Sequence, residues 1–243
     1  MSEAWRQLGT PRADGILLIA DHASNHVPAD IDLGIDAALL TNHIAVDIGV
    51  AQVAALLIEG GAVDAAILGG VSRLVVDCNR EEDAPGVLPI ASDGHAVPGN
   101  ALDDAAREAR LARFFRPYHD HIAATIAAHR PAMMLSLHSF TPSLSAHPEQ
   151  VRPWHVGVLY NADDRLAAAA IAALAAEGLT VGDQQPYSGK QLNATMNRHA
   201  EGNDIPYVGI EMRQDLVGDA AGQGRFAELL GRMCGKVALN IAV

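Results

Sequence analysis

Gly15-Ile16-Leu17-Leu18-Ile19-Ala20-Asp21-His22 is the stretch on which the fold turns. From Gly15 to Ala20 no side chain is polar. A run this short and continuously apolar suits a strand buried on both faces, as in a largely parallel sheet, whereas a strand with one wet face alternates. It stops at Asp21-His22, which puts a carboxylate and an imidazole at the strand's carboxyl end.

Working outward, Leu39, Leu40, Ile44, Val50, Val53 and Leu57 recur at helical spacing and predict a helix over 36–58, stopped by Gly60-Gly61. Ala65–Leu68 and Arg73–Asp77 read as two more strands separated by Gly69-Gly70. The polar, Gly/Pro-rich stretch 81–100 reads as a long surface loop of the kind that forms lids. A helical pattern from Leu102 to His129, kinked or divided by Pro117, leads to a fourth strand at 132–137, with His138 directly behind it. Further strands are expected at His155–Tyr160, Leu179–Val181 and Tyr207–Glu211, and helices at Asp163–Ala176 and Ala221–Asn240. This alternation, without internal repeat or linker, predicts one α/β domain over 1–243. Its three layers are a central, mostly parallel or mixed sheet and helices on both faces. In such sheets ligands bind at the carboxyl ends of the strands.

The 243 residues are 49% hydrophobic and 19% charged, enough apolar material for one large core. A net charge of −12 with no Lys/Arg run argues against nucleic acid as a partner. A small anionic substrate would need a local group of arginines. Cys78 and Cys234 are too few for a disulfide framework or thiolate cage and are expected to be reduced. Met1–Gln7 has no apolar signal core, and no stretch supplies the ~20 apolar residues of a membrane span. The expected location is the cytoplasm.

Three strand ends carry histidine or carboxylate: Asp21-His22, His138-Ser139, and Glu211 within Gly209-Ile210-Glu211-Met212-Arg213. Two neutral imidazoles and an oxygen, with one position open, make a catalytic zinc site, and a separate glutamate can take a proton from water. Each residue alone has a plainer reading, since His22 or His138 could serve only a polar turn. Glu211 lies among Val208, Ile210 and Met212, where an unpaired carboxylate is costly. It needs either an ion pair, with Arg213 for example, or a task as general base. The oxygen ligand is open between Asp47, in the apolar context Val46-Asp47-Ile48, and Asn25, a poorer zinc ligand that could equally cap a turn. Arg73, Arg80 and Arg213 flank the strand ends and offer forks for a substrate carboxylate, with surface ion pairs as the alternative. Ser139 is a further candidate substrate contact. His119 and His121 stand two apart in a helical pattern and point in different directions, so they read as structural. No phosphate-cradling G-x-x-x-x-G-K and no G-x-S-x-G serine elbow is present.

Taken together, D-H-A-S-N-H-V-P from Asp21, S-R-L-V-V-D-C-N-R from Ser72, P-Y-H-D from Pro117, L-H-S-F-T-P from Leu137 and G-I-E-M-R-Q-D-L from Gly209 resemble the N-formylglutamate amidohydrolase family. The resemblance spreads over most of the chain. It implies a fold like the zinc-dependent exopeptidases (phosphorylase/hydrolase-like), one Zn2+ per chain, His22 and His138 as ligands, and Glu211 as the catalytic carboxylate. Exopeptidases of that fold carry a glutamate ligand three residues after the first histidine, whereas this sequence has Asn25, so the third ligand stays open between Asn25 and Asp47. The implied reaction hydrolyses N-formyl-L-glutamate, a small anionic N-acyl amino acid, to formate and L-glutamate. The rivals are a carboxypeptidase-like or other deacylating metallohydrolase and a non-catalytic protein that binds an anionic metabolite.

Overall fold

The computed structural model describes residues 3–239. The strands are β1 (Trp5–Gly9), β2 (Ile16–Ala20), β3 (Ala65–Gly69), β4 (Ala91–Ser92), β5 (His95–Ala96), β6 (Met133–Phe140), β7 (Val156–Leu159), β8 (Val181–Asp183) and β9 (Tyr207–Arg213). The helices are α1 (Val50–Glu59), α2 (Asp104–Arg110), α3 (Arg116–Ala128), α4 (Ala167–Ala175), α5 (Ala194–His199) and α6 (Ala220–Ala238). Seven strands form one mixed sheet in the order β1-β3-β2-β6-β9-β7-β8, and β4 and β5 make a separate hairpin. The four central strands, β3, β2, β6 and β9, run parallel, while β1 and β7 join them antiparallel.

The apolar run of β2 is split between two cores. Leu18 and Ala20 pack with α1, α4 and α6, whereas Leu17 and Ile19 pack with Tyr118, Ile122 and Ile126 of α3 on the other face. β2 is therefore buried on both sides, and the layers are helix, sheet, helix. Among the described residues no helix is long and apolar enough to cross a membrane.

Several local expectations are corrected. The helix expected over 36–58 is a 3-10 turn at Ala37–Thr41, then irregular chain, and only then α1. Asp47 consequently sits in a turn before α1, not on a helix. The expected strand over Arg73–Asp77 is a turn at 73–75 followed by irregular chain. Ser72 explains it: its hydroxyl donates to Ala45 O at 2.8 Å and accepts from Leu74 N at 3.2 Å, a local alternative to sheet hydrogen bonds. Pro117 does not divide its helix. Just before it, Leu111–Phe115 form a π-helical turn in which Arg116 N–H reaches Leu111 O, and α3 continues. The edge strand β1 was not expected, and residue 240 of the last expected helix lies outside the described residues.

Gly49 shapes the turn that presents Asp47. Its φ is +81°, and a Cβ there would stand 2.3 Å from Val217 O. Gly49→Ala is expected to cost about 2 kcal/mol or more through strain and collision, read as a lowered Tm.

Candidate metal centre and active site

The sheet sets the first pair of functional side chains by register. Period-two alternation sends Leu135 and Leu137 of β6, and Ile210 and Met212 of β9, into the α1/α4/α6 core, so His138 and Glu211 face the other way. The two are Cα partners across the parallel β6–β9 pair. His22 follows β2 directly, and its carbonyl accepts Asp47 N–H at 3.0 Å, which ties the turn before α1 to the strand end.

His22, Asp47 and His138 are buried, and one ligand atom from each lies within 4.8 Å of the others. Asp47 Oδ2 is 2.8 Å from His138 Nδ1 and 3.4 Å from His22 Nδ1, and the two Nδ1 atoms are 3.2 Å apart. The opposite edges of the rings face carboxylates: His22 Nε2 is 2.7 Å from Asp77 Oδ1, and His138 Nε2 is 3.5 Å from Asp21 Oδ2. Arg73 grips both ends of the cluster, with Nη1 donating to Asp47 Oδ1 at 3.1 Å and Nη2 to Asp77 Oδ2 at 3.3 Å.

The charges follow from this crowding. Burial and Arg73 push the His22 pKa down, but Asp77 and Asp47 outweigh them and raise it. Burial likewise opposes protonation of His138, yet Asp21 and Asp47 hold its pKa well above the ordinary imidazole value. Burial alone would raise the Asp47 pKa, but His22, His138 and Arg73 drive it below the usual carboxylate range. Three electron-pair donors thus converge on a place that demands positive charge, from protons or from a cation. Two imidazoles and one carboxylate fit a divalent ion with a fourth position open.

Glu211 stands beside this trio without a hydrogen bond to Oε2. Burial, with Asp47 adding to it, pushes its pKa up to about 7 against the pull of His138 and Arg73. His22, Asp47, Arg73, Asp77, His138 and Glu211 line one pocket of about 530 Å³ at the carboxyl ends of the parallel strands. The 81–100 stretch contributes Gly86, Pro89 and the β4–β5 hairpin to its wall. That hairpin is fastened in place: Asp93 accepts from His43 Nε2 at 3.0 Å and from the N–H groups of Ser145 and Ala146 at 2.9 Å.

The pocket brings together His22, Asp47, His138, Glu211, Arg73, Arg80 and Ser139. Ser139 Oγ donates to Ile48 O at 2.9 Å, and Arg80 lines the pocket with Nη1 donating to Asn79 O at 3.2 Å and its approach to Asp77 no closer than 3.8 Å. Asn25 and Arg213 are not brought in. Asn25 is exposed on the loop after His22, and Arg213 donates to Asp215 at 2.8 Å and reaches the carbonyls of Pro153 and Trp154. His119 and His121 serve packing: the first meets His199 and Cys78 O, and the second stacks on Trp5 at 3.5 Å. Sequence reasoning missed Asp21 and Asp77 as partners of the histidines, although both stand inside the quoted motifs. It also missed Tyr187, a pocket residue whose hydroxyl accepts from the buried Arg152 at 3.0 Å.

Residues 15–217 match the family model for N-formylglutamate amidohydrolase. Among solved structures, a gene product of Agrobacterium tumefaciens is 32% identical, with a TM-score of 0.89 over 99% of this chain and 96% of that one. The N-formylglutamate amidohydrolase of Ralstonia eutropha is 17% identical, with a TM-score of 0.72 over 99% of each chain, a likeness of fold. No curated protein matches.

Proposed function

The chain belongs to the N-formylglutamate amidohydrolase family, and from that premise we propose that it is a cytoplasmic, single-domain, metal-dependent enzyme that hydrolyses the amide of a small anionic N-acyl amino acid, N-formyl-L-glutamate first among them. The observation that carries the reading is the convergence of His22 Nδ1, His138 Nδ1 and Asp47 Oδ2 beside the unpaired Glu211. Asp47 takes the third ligand position because Asn25 is exposed and outside the pocket.

Zn2+ held by these three residues would supply a concentrated positive charge that acidifies water and polarises the amide carbonyl. Glu211 takes a proton from the attacking water as its oxygen adds to the carbonyl carbon. The same carboxyl then returns the proton to the amine nitrogen as the C–N bond breaks, giving formate and glutamate. Asp77 holds the His22 imidazole by its outer nitrogen, and Arg73 keeps Asp47 and Asp77 in place.

Arg80 anchors the substrate carboxylate, since Arg73 is already committed to two aspartates. Arg80→Ala is expected to raise KM for N-formyl-L-glutamate about 10- to 100-fold with kcat little changed, the signature of lost uniform binding through a charge-assisted hydrogen bond. Steady-state kinetics on the variant measures it.

The function is tested by following formate and glutamate release by protein treated with chelator and then reloaded with zinc. Activity lost and regained supports the reading; no hydrolysis by reloaded protein removes it. A second reading, a larger acyl group or short peptide, is favoured by the apolar wall of Leu144, Leu159 and Leu192, a surface that a formyl group does not need. An acyl-length series separates the two.

A further inference from the structure

Asp21 is buried and has no part in the chemistry above. Its Oδ1 accepts two hydroxyl hydrogens, from Tyr118 at 2.9 Å and Thr195 at 2.8 Å. Its Oδ2 has no hydrogen-bond partner and faces the equally unpartnered Nε2 of His138 at 3.5 Å. Leaving both unmade would cost about 1–3 kcal/mol each, so the two are halves of one interaction. A carboxylate that already receives two O–H donors is an acceptor, which makes Nε2 the nitrogen of His138 that carries hydrogen. With a cation bound, the lone pair of Nδ1 is then the one turned toward it; in the metal-free protein a proton takes that place and is donated to Asp47 Oδ2 at 2.8 Å.

The same logic operates on His22 through Asp77, whose Oδ1 also accepts Asn79 N–H at 3.0 Å. Thr195 joins the two halves. Its hydroxyl holds Asp21, while its N–H donates to Asn79 Oδ1 at 3.2 Å. A path of polar contacts therefore runs His22, Asp77, Asn79, Thr195, Asp21, His138, hydrogen-bonded except at the 3.5 Å approach of Asp21 to His138, and Asp47 closes it into a ring. Thr195 is fully buried at the start of α5, a helix that contributes no ligand and no general base.

We infer that Asp21 and Thr195 are positioning residues: Asp21 selects the His138 tautomer that points Nδ1 at the cation, and Thr195 couples that choice to the Asp77–His22 pair. The inference rests on the metal reading proposed above. Outer partners of ligating histidines typically govern metal affinity by about 10- to 100-fold. Asp21→Asn keeps the shape but can present an N–H where the carboxylate accepted, which favours the wrong tautomer. Thr195→Val removes only the hydroxyl, and Thr195→Ser restores it.

The test is zinc affinity, measured by competition with a chromophoric chelator, with circular dichroism of each metal-free variant to establish folding. Asp21→Asn is expected to bind zinc about 10- to 100-fold more weakly. Thr195→Val should be weakened in the same direction, and Thr195→Ser should return to the wild-type value. A packing role alone would make Ser no better than Val. Wild-type affinity in folded Asp21→Asn, or equal affinity in Thr195→Val and Thr195→Ser, overturns the inference. If Asp21→Asn does not fold, the Val and Ser pair decides. Failure of the wild type itself to bind zinc would strike the metal reading and remove this inference with it, an outcome distinct from a failure seen only in the variants.

Discussion

Glu211→Gln is expected to lower kcat by about 10²- to 10⁴-fold, the usual worth of a positioned general base, while metal content stays at the wild-type level. The amide keeps the size of the side chain and its place opposite His138 on β9, so the ligand trio is undisturbed. What disappears is a carboxylate whose pKa burial pushes up to about 7, close to the pH at which a base both holds its ionised form and binds a proton well. A base works ionised, so kcat/KM should fall as pH drops through that pKa, and a bound dication should shift the limb below 7. Glu211→Gln should lose the limb. Stability carries the opposite sign. A folded-state pKa raised above the unfolded value stabilises below the unfolded carboxylate value and loses that contribution as pH rises through about 7. The metal-free Gln variant should therefore melt no lower than wild type at pH 8. Undiminished turnover in Glu211→Gln would take the base assignment away from Glu211.

Arg73→Met should destabilise the metal-free protein by about 3 kcal/mol, and added zinc should return much of the loss. Arg73 bridges Asp47 and Asp77, which are nearly inaccessible, and removing one member of a buried ion pair leaves charge uncompensated at about 3–5 kcal/mol. The lower end applies because the Arg73 side chain is 24% exposed. Methionine keeps the apolar stem, so the change is mainly electrostatic. A divalent ion against Asp47 would replace part of the missing charge, which makes the metal dependence of the effect the diagnostic. Urea unfolding of both proteins, with chelator and with zinc, measures it. An equal loss in both conditions would mean that Arg73 and the metal do not share Asp47.

The sequence made the layered α/β plan legible because the decisive signals were strong and local. A continuous apolar run at β2 cannot belong to a strand with one wet face, and Asp21-His22, His138 and Glu211 each sit at a position that strand periodicity can place. The elements that misled are those governed by tertiary or unusual local hydrogen bonds. The apolar Leu74-Val75-Val76 looks like a strand, yet Ser72 folds it into a turn whose side chains are buried beneath the sheet. Asp47 looked like a helix residue because Ile44 and Val50 continue a helical spacing across Gly49, whose left-handed φ breaks it. At the site, residue type identified the chemistry but not the direction of side chains. Arg73, Arg80 and Arg213 are equivalent in sequence, and only the fold turns the first onto two aspartates, the second toward the pocket and the third onto Asp215. Thr195 carried no signal at all, since its role depends on contacts with Asp21, more than a hundred residues away in the chain.

The measurement closest to the central claim is elemental analysis of purified protein after zinc loading and removal of excess metal, comparing wild type with His22→Ala and His138→Ala. The arrangement of His22, Asp47 and His138 predicts one bound zinc per wild-type chain and loss of that zinc in each folded variant. Wild-type protein that retains no metal after zinc is added back, or variants that retain as much as wild type, would contradict it.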